Sequence, residues 1–319
     1  IATILIKVKR ELSMQSTKQK KTLPLLSNIK NKNMFADFVF LLPALIIFSV
    51  FFAYPVFSSL YFSLTKWNGI SPDLEFIGFD NFIKLWTDRN FWAALRNTFK
   101  YAILVTIIQN VLGLVLALAL NRSSRIFQGF RVLFLIPPLL SSIAIGTMWS
   151  YMYAPNGAIN SLLIMGGLEN FTQDWLGNPD LALFSLILAN VWRWTGMAMI
   201  IYLAGLQAIP TNVQEAASID GVGVWQRFQH ITFPLIAPAF TINIILSMIG
   251  SLKVFDIIFI MTQGGPGRAT ESLTTYIFSR AFDARKFGYG TAIAVVMFVI
   301  ILALSLIQLR YLTKREVQA

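Results

Sequence analysis

The 319-residue chain contains no cysteine and a single histidine, His230. The first absence excludes disulfides, cysteine-ligated zinc and thiol catalysis. The second argues against a histidine-based metal site or catalytic triad. Charge is also scarce. Asp, Glu, Lys and Arg make up 13% of the residues, about half of the ~25% usual in soluble domains. No GxxxxGK[ST] run occurs anywhere, so the chain has no phosphate-binding loop of that kind. What fills the sequence is apolar, at 56% hydrophobic residues. So little polar surface cannot cover a soluble domain of this size, and the chain reads as an all-α integral membrane protein. The net charge of +11 gathers at the N-terminus and in short loops. Membrane proteins keep their cytoplasmic bases there, so a nucleic-acid partner is not expected.

Six apolar runs are long enough to cross a hydrocarbon core of ~30 Å, which takes about 20 helical residues. They are Phe35–Leu64, Thr98–Leu120, Arg131–Tyr153, Leu181–Leu206, Phe233–Thr262 and Tyr289–Leu312. Helices are required because lipid cannot satisfy an open strand edge. The first run is too long for the h-region of a signal peptide. Residues 1–34 read as a basic cytoplasmic tail, 35–312 as the transmembrane domain and 313–319 as a second cytoplasmic tail. The sequence opens on Ile1, and Met14 is one candidate start. Placing both termini in the cytoplasm puts fifteen lysines and arginines on that side. The loop NRSSRIFQGFR, with three arginines and no acid, decides the orientation most clearly. Trp67, Trp86, Trp92 and Trp175 then lie near the outer ends of the spans. The outer loops are too small to form a domain of their own.

One polar stretch interrupts the second half: EAASIDGVGVWQRFQHITFPLIAP, Glu215 to Pro238. Thr211 and Gln214 have the spacing of a capping box. The pattern therefore predicts a short helix over Asn212–Asp220, stopped by Asp220-Gly221 and Gly223. A second short helix, Trp225–Ile231, turns back to the membrane. Pro234 falls near the first turn of the fifth span, where its missing N–H costs nothing. The result is a cytoplasmic helical elbow that lipid does not require. It could lie on the headgroups, but Arg227 is its only lysine or arginine, which suits an anionic surface poorly. Ala216 and Ala217 give it a low-profile face that a protein partner can approach.

The spacing of Glu215-Ala216-Ala217, Gly221, Ile231, Phe233 and Pro234 resembles the EAA loop of the membrane subunits of binding-protein-dependent ABC importers. The family has leucine where Phe233 stands. LLPALIIFSVFFAYPV, FIGFDNF, ALRNTF and FIMTQGGPGRAT resemble the carbohydrate branch of that family, the maltose and glycerol-3-phosphate type. The resemblance covers nearly the whole chain from Phe35 onward and implies the type I importer permease fold, in a multi-pass protein of the bacterial cytoplasmic membrane. It implies a second related permease, two cytoplasmic ATPase subunits that bind ATP and magnesium, and an extracytoplasmic solute-binding protein. The elbow at 210–234 would be the coupling helix. Glu215 would make a polar contact to the ATPase, Ala216 and Ala217 would pack against it, and Gly221 would form the bend. Asp220, Ile231 and Pro234 belong to the same coupling set. The turn Gly264-Gly265-Pro266 would touch the binding protein. The protein itself would carry no cofactor, no metal and no catalytic residue.

Ionisable groups at bilayer depth cost about 2.5–3.5 kcal/mol each on insertion scales, so those present carry information. Arg193 falls in the fourth run, and Lys253 and Asp256 fall in the fifth, three residues apart. The last two would share a helix face and either pair with each other or face the solute. Asn190, Trp192, Trp194 and Asn243 complete a candidate carbohydrate path, with polar groups for hydroxyls and aromatic faces for C–H surfaces. Such residues, and Asn110 with them, also serve as interhelical glue. An ion-coupled secondary transporter is the alternative reading. It would need embedded acids or interrupted helices and often shows inverted repeats. Asp256 alone meets the first requirement. An intramembrane enzyme is discarded, because His230 lies in the elbow away from any buried acid.

Overall fold

A computed structural model describes residues 34–213, 215 and 221–314. The expected tail 1–34 lies almost entirely outside the described residues, and so does most of 313–319. The chain divides at Ser59 into two units. Helix α1 (Met34–Phe48) runs through a π-turn at Ser49–Ala53 into α2 (Tyr54–Ser63), whose residues from Leu60 on are counted with the second unit. The π-turn ends two residues before Pro55. A widened turn accommodates the missing N–H there without ending the helix.

The second unit continues with a small hairpin. Strands β1 (Thr65–Lys66) and β2 (Glu75–Phe76) pair antiparallel, Thr65 opposite Phe76. Helix α3 (Asp80–Thr87) follows, and Asp88 then caps α4 (Arg89–Leu120) by accepting from the amides of Asn90 and Phe91. Helix α4 starts nine residues earlier than the apolar run indicates, because the cap and not hydropathy sets its end. After it come α5 (Arg125–Leu139), α6 (Ser142–Tyr153), α7 (Ala158–Met165) and the long α8 (Pro179–Gln207). The elbow contains α9 (Val224–Arg227), a π-turn at Phe228–Thr232 and α10 (Phe233–Leu235). The chain then forms α11 (Ala237–Leu252), α12 (Asp256–Met261), α13 (Leu273–Phe278) and α14 (Phe287–Thr313).

Among the described residues four helices are long and apolar enough to cross a membrane, namely 38–63, α4, α8 and α14, and two bent pairs raise the number to six. The bent pairs overlap the third and fifth apolar runs of the sequence. Between α5 and α6 the direction changes by 98°, where Pro137 and Pro138 withdraw two backbone donors and Ser141 starts a new helix by capping Ala144. The fifth run turns by 70° at Ile236. Pro234 occupies the first turn of α10 and Pro238 the first turn of α11, so the membrane-depth helix begins at Ala237 and not at Phe233. The run then breaks again between Leu252 and Asp256.

Helices α4 and α8 form the centre of the second unit. A Cβ at Gly113 would sit 2.8 Å from that of Ala198, and one at Gly196 would lie 1.8 Å from the carbonyl oxygen of Phe134 on α5. Small residues let the backbones approach this closely, which is how helices associate where lipid removes the hydrophobic drive. Ala94, Tyr101, Ala102, Val105 and Ala117 on α4 are fully buried, as are Leu186, Ala189, Met199 and Tyr202 on α8.

Candidate transport path and coupling elbow

The break at residues 253–255 positions the polar groups of the path. No proline causes it. The carbonyl of Val254 accepts from the hydroxyls of Ser272 (3.0 Å) and Thr274, so a tertiary contact replaces the helical bond that is lost. Lys253 becomes the C-cap that follows one helix and Asp256 the first residue of the next. They therefore do not share a helix face as the spacing predicts, and no ion pair joins them among the described residues. Asp256 Oδ2 instead accepts from Ser142 Oγ at 2.7 Å. The same hydroxyl accepts from Arg193 at 3.0 Å, and Arg193 also donates to the carbonyl of Leu140 at 3.1 Å. That carbonyl lies at the break after α5, where Ala144 N–H bonds to Ser141 Oγ instead, so the guanidinium satisfies a backbone group that the helix end leaves open. It also lies 5.1 Å from the ring centre of Trp194.

Two adjoining cavities flank this cluster. One of about 340 Å³ is lined by Gln109, Asn190, Trp194, Asn243, Ser247 and Ser251, with apolar neighbours. The other, about 330 Å³, is lined by Ser142, Asn190, Arg193, Trp194, Lys253 and Asp256 among others. Asn190, Trp194, Gly250 and Val254 line both. Six of the seven residues singled out from the sequence thus reach the cavities. Trp192 lines neither; it is half exposed and packs edge-on against Trp149. Sequence reasoning missed Gln109, Ser142, Ser247 and Ser251. Asn243, Ser247 and Ser251 recur every four residues on α11, a polar stripe at helical spacing that would have revealed the last two.

The polar side chains divide by role. Asn110 donates to Thr106 O (2.7 Å) and Ser247 Oγ (2.8 Å) and accepts from Tyr202 Oη (2.7 Å). It is buried and ties α4, α8 and α11 together. Asn243 donates to Ala198 O at 3.1 Å, so it joins helices and lines a cavity at once.

At the elbow, Thr211–Val213 and Glu215 are helical. Gln214, Ala216, Ala217 and Asp220 lie outside the described residues. Glu215 is exposed. Gly221 has φ +66° and open space where a Cβ would stand; this backbone conformation is the one a helix-ending glycine supplies. Beyond it Val224 and Trp225 are 89% and 66% exposed, and Ile231 and Pro234 are half-buried. Trp225 stacks on Phe228 (5.7 Å), Phe228 meets Phe233 (5.9 Å), Phe233 meets Phe240 (5.4 Å) and Phe240 meets Tyr202 (6.4 Å). A continuous line of rings runs from the elbow to Tyr202 and thence to Asn110 beside the first cavity.

On the opposite face the Gly264–Pro266 turn is held rigidly. Gly264 and Gly267 have φ +88° and +54°. Thr270 Oγ1 donates to Gly265 O (2.6 Å), and Asn97 Nδ2 donates to Arg268 O (3.2 Å). Glu271 beneath it is buried, which pushes its carboxyl up, opposed by Arg268 and Arg280.

Residues 109–317 match the family model described as a binding-protein-dependent transport system inner membrane component. Among the relatives is the probable starch degradation products transport system permease protein AmyD of Thermoanaerobacterium thermosulfurigenes. It is 35% identical, with 90% of this chain and 97% of AmyD aligned. The trehalose/maltose transport system permease protein MalF of Thermococcus litoralis is 33% identical over 90% of this chain and 96% of its own length. In architecture the chain is similar to one from a bacterial ABC transporter involved in the import of the acidic polysaccharide alginate. The TM-score is 0.77 and the identity 24%, over 91% of this chain and 98% of that one. With its bent spans, its elbow and this similarity along most of its length, the chain belongs to the family of inner membrane components of binding-protein-dependent transport systems, the permease subunits of ABC transporters.

Proposed function

We propose that the protein is the membrane-spanning subunit of an ATP-driven importer that moves a carbohydrate, an oligosaccharide in the first place, into a bacterial cell across its cytoplasmic membrane. The cavities between α4, α8, α11 and α12 would form the solute path. Asn190 and Trp194 face both cavities and supply a hydrogen-bonding amide beside an aromatic face, the pairing a sugar ring needs. ATP and magnesium would be handled by two separate ATPase subunits. A second related permease would complete the membrane pathway, and an extracytoplasmic binding protein would deliver the solute to the Gly264–Pro266 side.

The observation that carries this reading is the elbow. It exposes Val224 and Trp225 beyond the membrane helices and is joined by ring contacts to the helices that line the first cavity. ATP-driven closure of the ATPases would move the two elbows together and turn the path outward; hydrolysis would reset it. Such a lever works only if the ATPase holds it differently in the two states. An ion-coupled carrier has no use for an exposed elbow of this kind.

The test is replacement of Gly221 by tryptophan in the assembled transporter. The site has room for a side chain, but its backbone angle costs a non-glycine residue about 1–2 kcal/mol. Solute-stimulated ATP hydrolysis should fall while the variant still assembles. Uptake that ignores ATP and follows an ion gradient would establish the carrier instead.

A further inference from the structure

A further cavity in the second unit shares no lining residue with the two cavities of the candidate path. It has a volume of about 690 Å³ and opens on the face opposite the elbow, between the β1–β2 hairpin, α3 and the segment entering α14. Its lining holds five basic side chains against two acids. Among the described residues only two ion pairs occur, Lys66–Glu75 and Arg268–Glu271. Lys84, Arg280, Arg285 and Lys286 therefore surround this cavity without a salt bridge among the described residues, although Arg280 still acts on Glu271. One of the two acids, Asp88, is already committed: it accepts from the hydroxyls of Tyr276 and Tyr289 and caps α4. Arg280 Nε is buried and has no hydrogen-bond partner, and its guanidinium lies over the ring of Tyr276 at 4.8 Å.

Helix α3 sets the level of this cavity in the bilayer, because Asp88 joins it directly to the membrane-crossing α4. Asn81 and Leu85 form its buried face. Phe79, just before its start, with Ile83 and Trp86, spaced four and three residues apart, forms a stripe on the opposite side, each 65–71% exposed. Trp86 meets Trp92 edge-on at 5.2 Å. An exposed apolar stripe with paired tryptophans at the end of a span belongs at the membrane–water boundary. Lys84 sits on this same helix and lines the cavity. Unpaired cations thus stand beside side chains suited to acyl chains and glycerol, at the level where lipid phosphates lie.

We propose that this cavity binds the headgroup of an anionic phospholipid, of phosphatidylglycerol type, in the leaflet opposite the elbow. The phosphate is held by Arg280 and Arg285, whose guanidinium forks match phosphate oxygens, together with Lys84 and Lys286. The acyl chains run over Ile83 and Trp86. A water-borne anion would engage the cations but gain nothing from the apolar stripe.

Native mass spectrometry of the complete transporter tests the assignment. Phosphatidylglycerol and phosphatidylcholine with identical acyl chains are titrated against it, with free glycerol phosphate as a third ligand. Phosphatidylglycerol should occupy one site ahead of phosphatidylcholine. The double variant Arg285→Gln/Lys286→Gln alters two exposed side chains and should weaken that site about thirtyfold, the scale expected for removing two bases near an anionic lipid. Arg122→Gln/Arg125→Gln, on the elbow side, should leave it unchanged. Equal binding of the two lipids, or equal loss in both double variants, would overturn the proposal. So would glycerol phosphate competing as well as the whole lipid, which would mark a soluble-anion site. An acidic protein partner whose binding needs the same bases while lipid binding does not would overturn it as well.

Discussion

Arg193 and Asp256 meet on a single hydroxyl. Ser142 Oγ accepts from the guanidinium at 3.0 Å and donates to the carboxylate at 2.7 Å. The arrangement links α8, α6 and α12 and gives two embedded charges a common partner. It also explains how a chain can afford ionised groups at this depth.

Ser142→Ala removes the bridge without adding bulk. Arg193 and Asp256 should show a coupling of about 0.5–3 kcal/mol in a double-mutant cycle, the range for residues in one hydrogen-bond network. In the Ser142→Ala background that coupling should fall toward zero. Thermal denaturation of the purified transporter in detergent measures both cycles. Coupling that survives intact would mean the charges interact directly.

Asp88 gives stability a defined pH dependence. Burial raises its carboxyl, but hydrogen bonds from Tyr276, Tyr289 and the amides of Asn90 and Phe91 outweigh this and hold it below its ordinary value. A lowered folded-state value means the contribution is complete above the unfolded value of about 3.9 and is lost as pH falls through the lower, folded one. Asp88→Asn keeps the cap but cannot titrate. The stability gap between wild type and this variant should be constant near neutrality and close below about pH 4. Asp88→Ala should cost about 1 kcal/mol more than Asp88→Asn through the lost cap. Melting curves across the acid range decide this.

Two glycines on the membrane helices should respond oppositely to alanine. A Cβ at Gly196 collides with the carbonyl of Phe134, whereas one at Gly250 meets nothing within 4 Å. Gly196→Ala should lose about 1–3 kcal/mol or fail to assemble, as overpacking against backbone does. Gly250→Ala should fold normally. Because Gly250 lines both cavities, it should change solute uptake instead. Equal stability of the two variants would contradict the close α5–α8 approach.

The asparagines should separate structure from transport. Asn110→Ala removes two interhelical hydrogen bonds and one within its helix and should lower stability by roughly 1–2 kcal/mol, taking about 0.6 kcal/mol as the mean for one interhelical bond in a membrane. Asn190→Ala should leave the melting temperature unchanged and raise the KM for the transported sugar. Uptake kinetics in proteoliposomes beside thermal melts distinguish them, and a purely structural Asn190 would shift the melt instead.

Much of this was legible in order along the chain. Long apolar runs bounded by bases fixed which segments enter the membrane, and Asp220-Gly221 marked the bend that Gly221 adopts at φ +66°. The site was legible only in composition. Asn190, Arg193, Trp194, Asn243, Lys253 and Asp256 stood out because polar groups are rare at bilayer depth. Their partners did not: Ser142 is one serine among many until the 98° bend brings it between Arg193 and Asp256.

The sequence by itself determined that this protein lives in a membrane, how its helices are ordered and where its elbow turns, because hydropathy, proline and glycine act locally. Only the tertiary structure decided where the fifth run breaks and which charges pair. Helix α11 ends at Leu252 because the hydroxyls of Ser272 and Thr274, eighteen and twenty residues beyond Val254, reach the carbonyl of Val254. A backbone group in lipid must be satisfied by something, and nothing in the local sequence says that the partner will come from another segment.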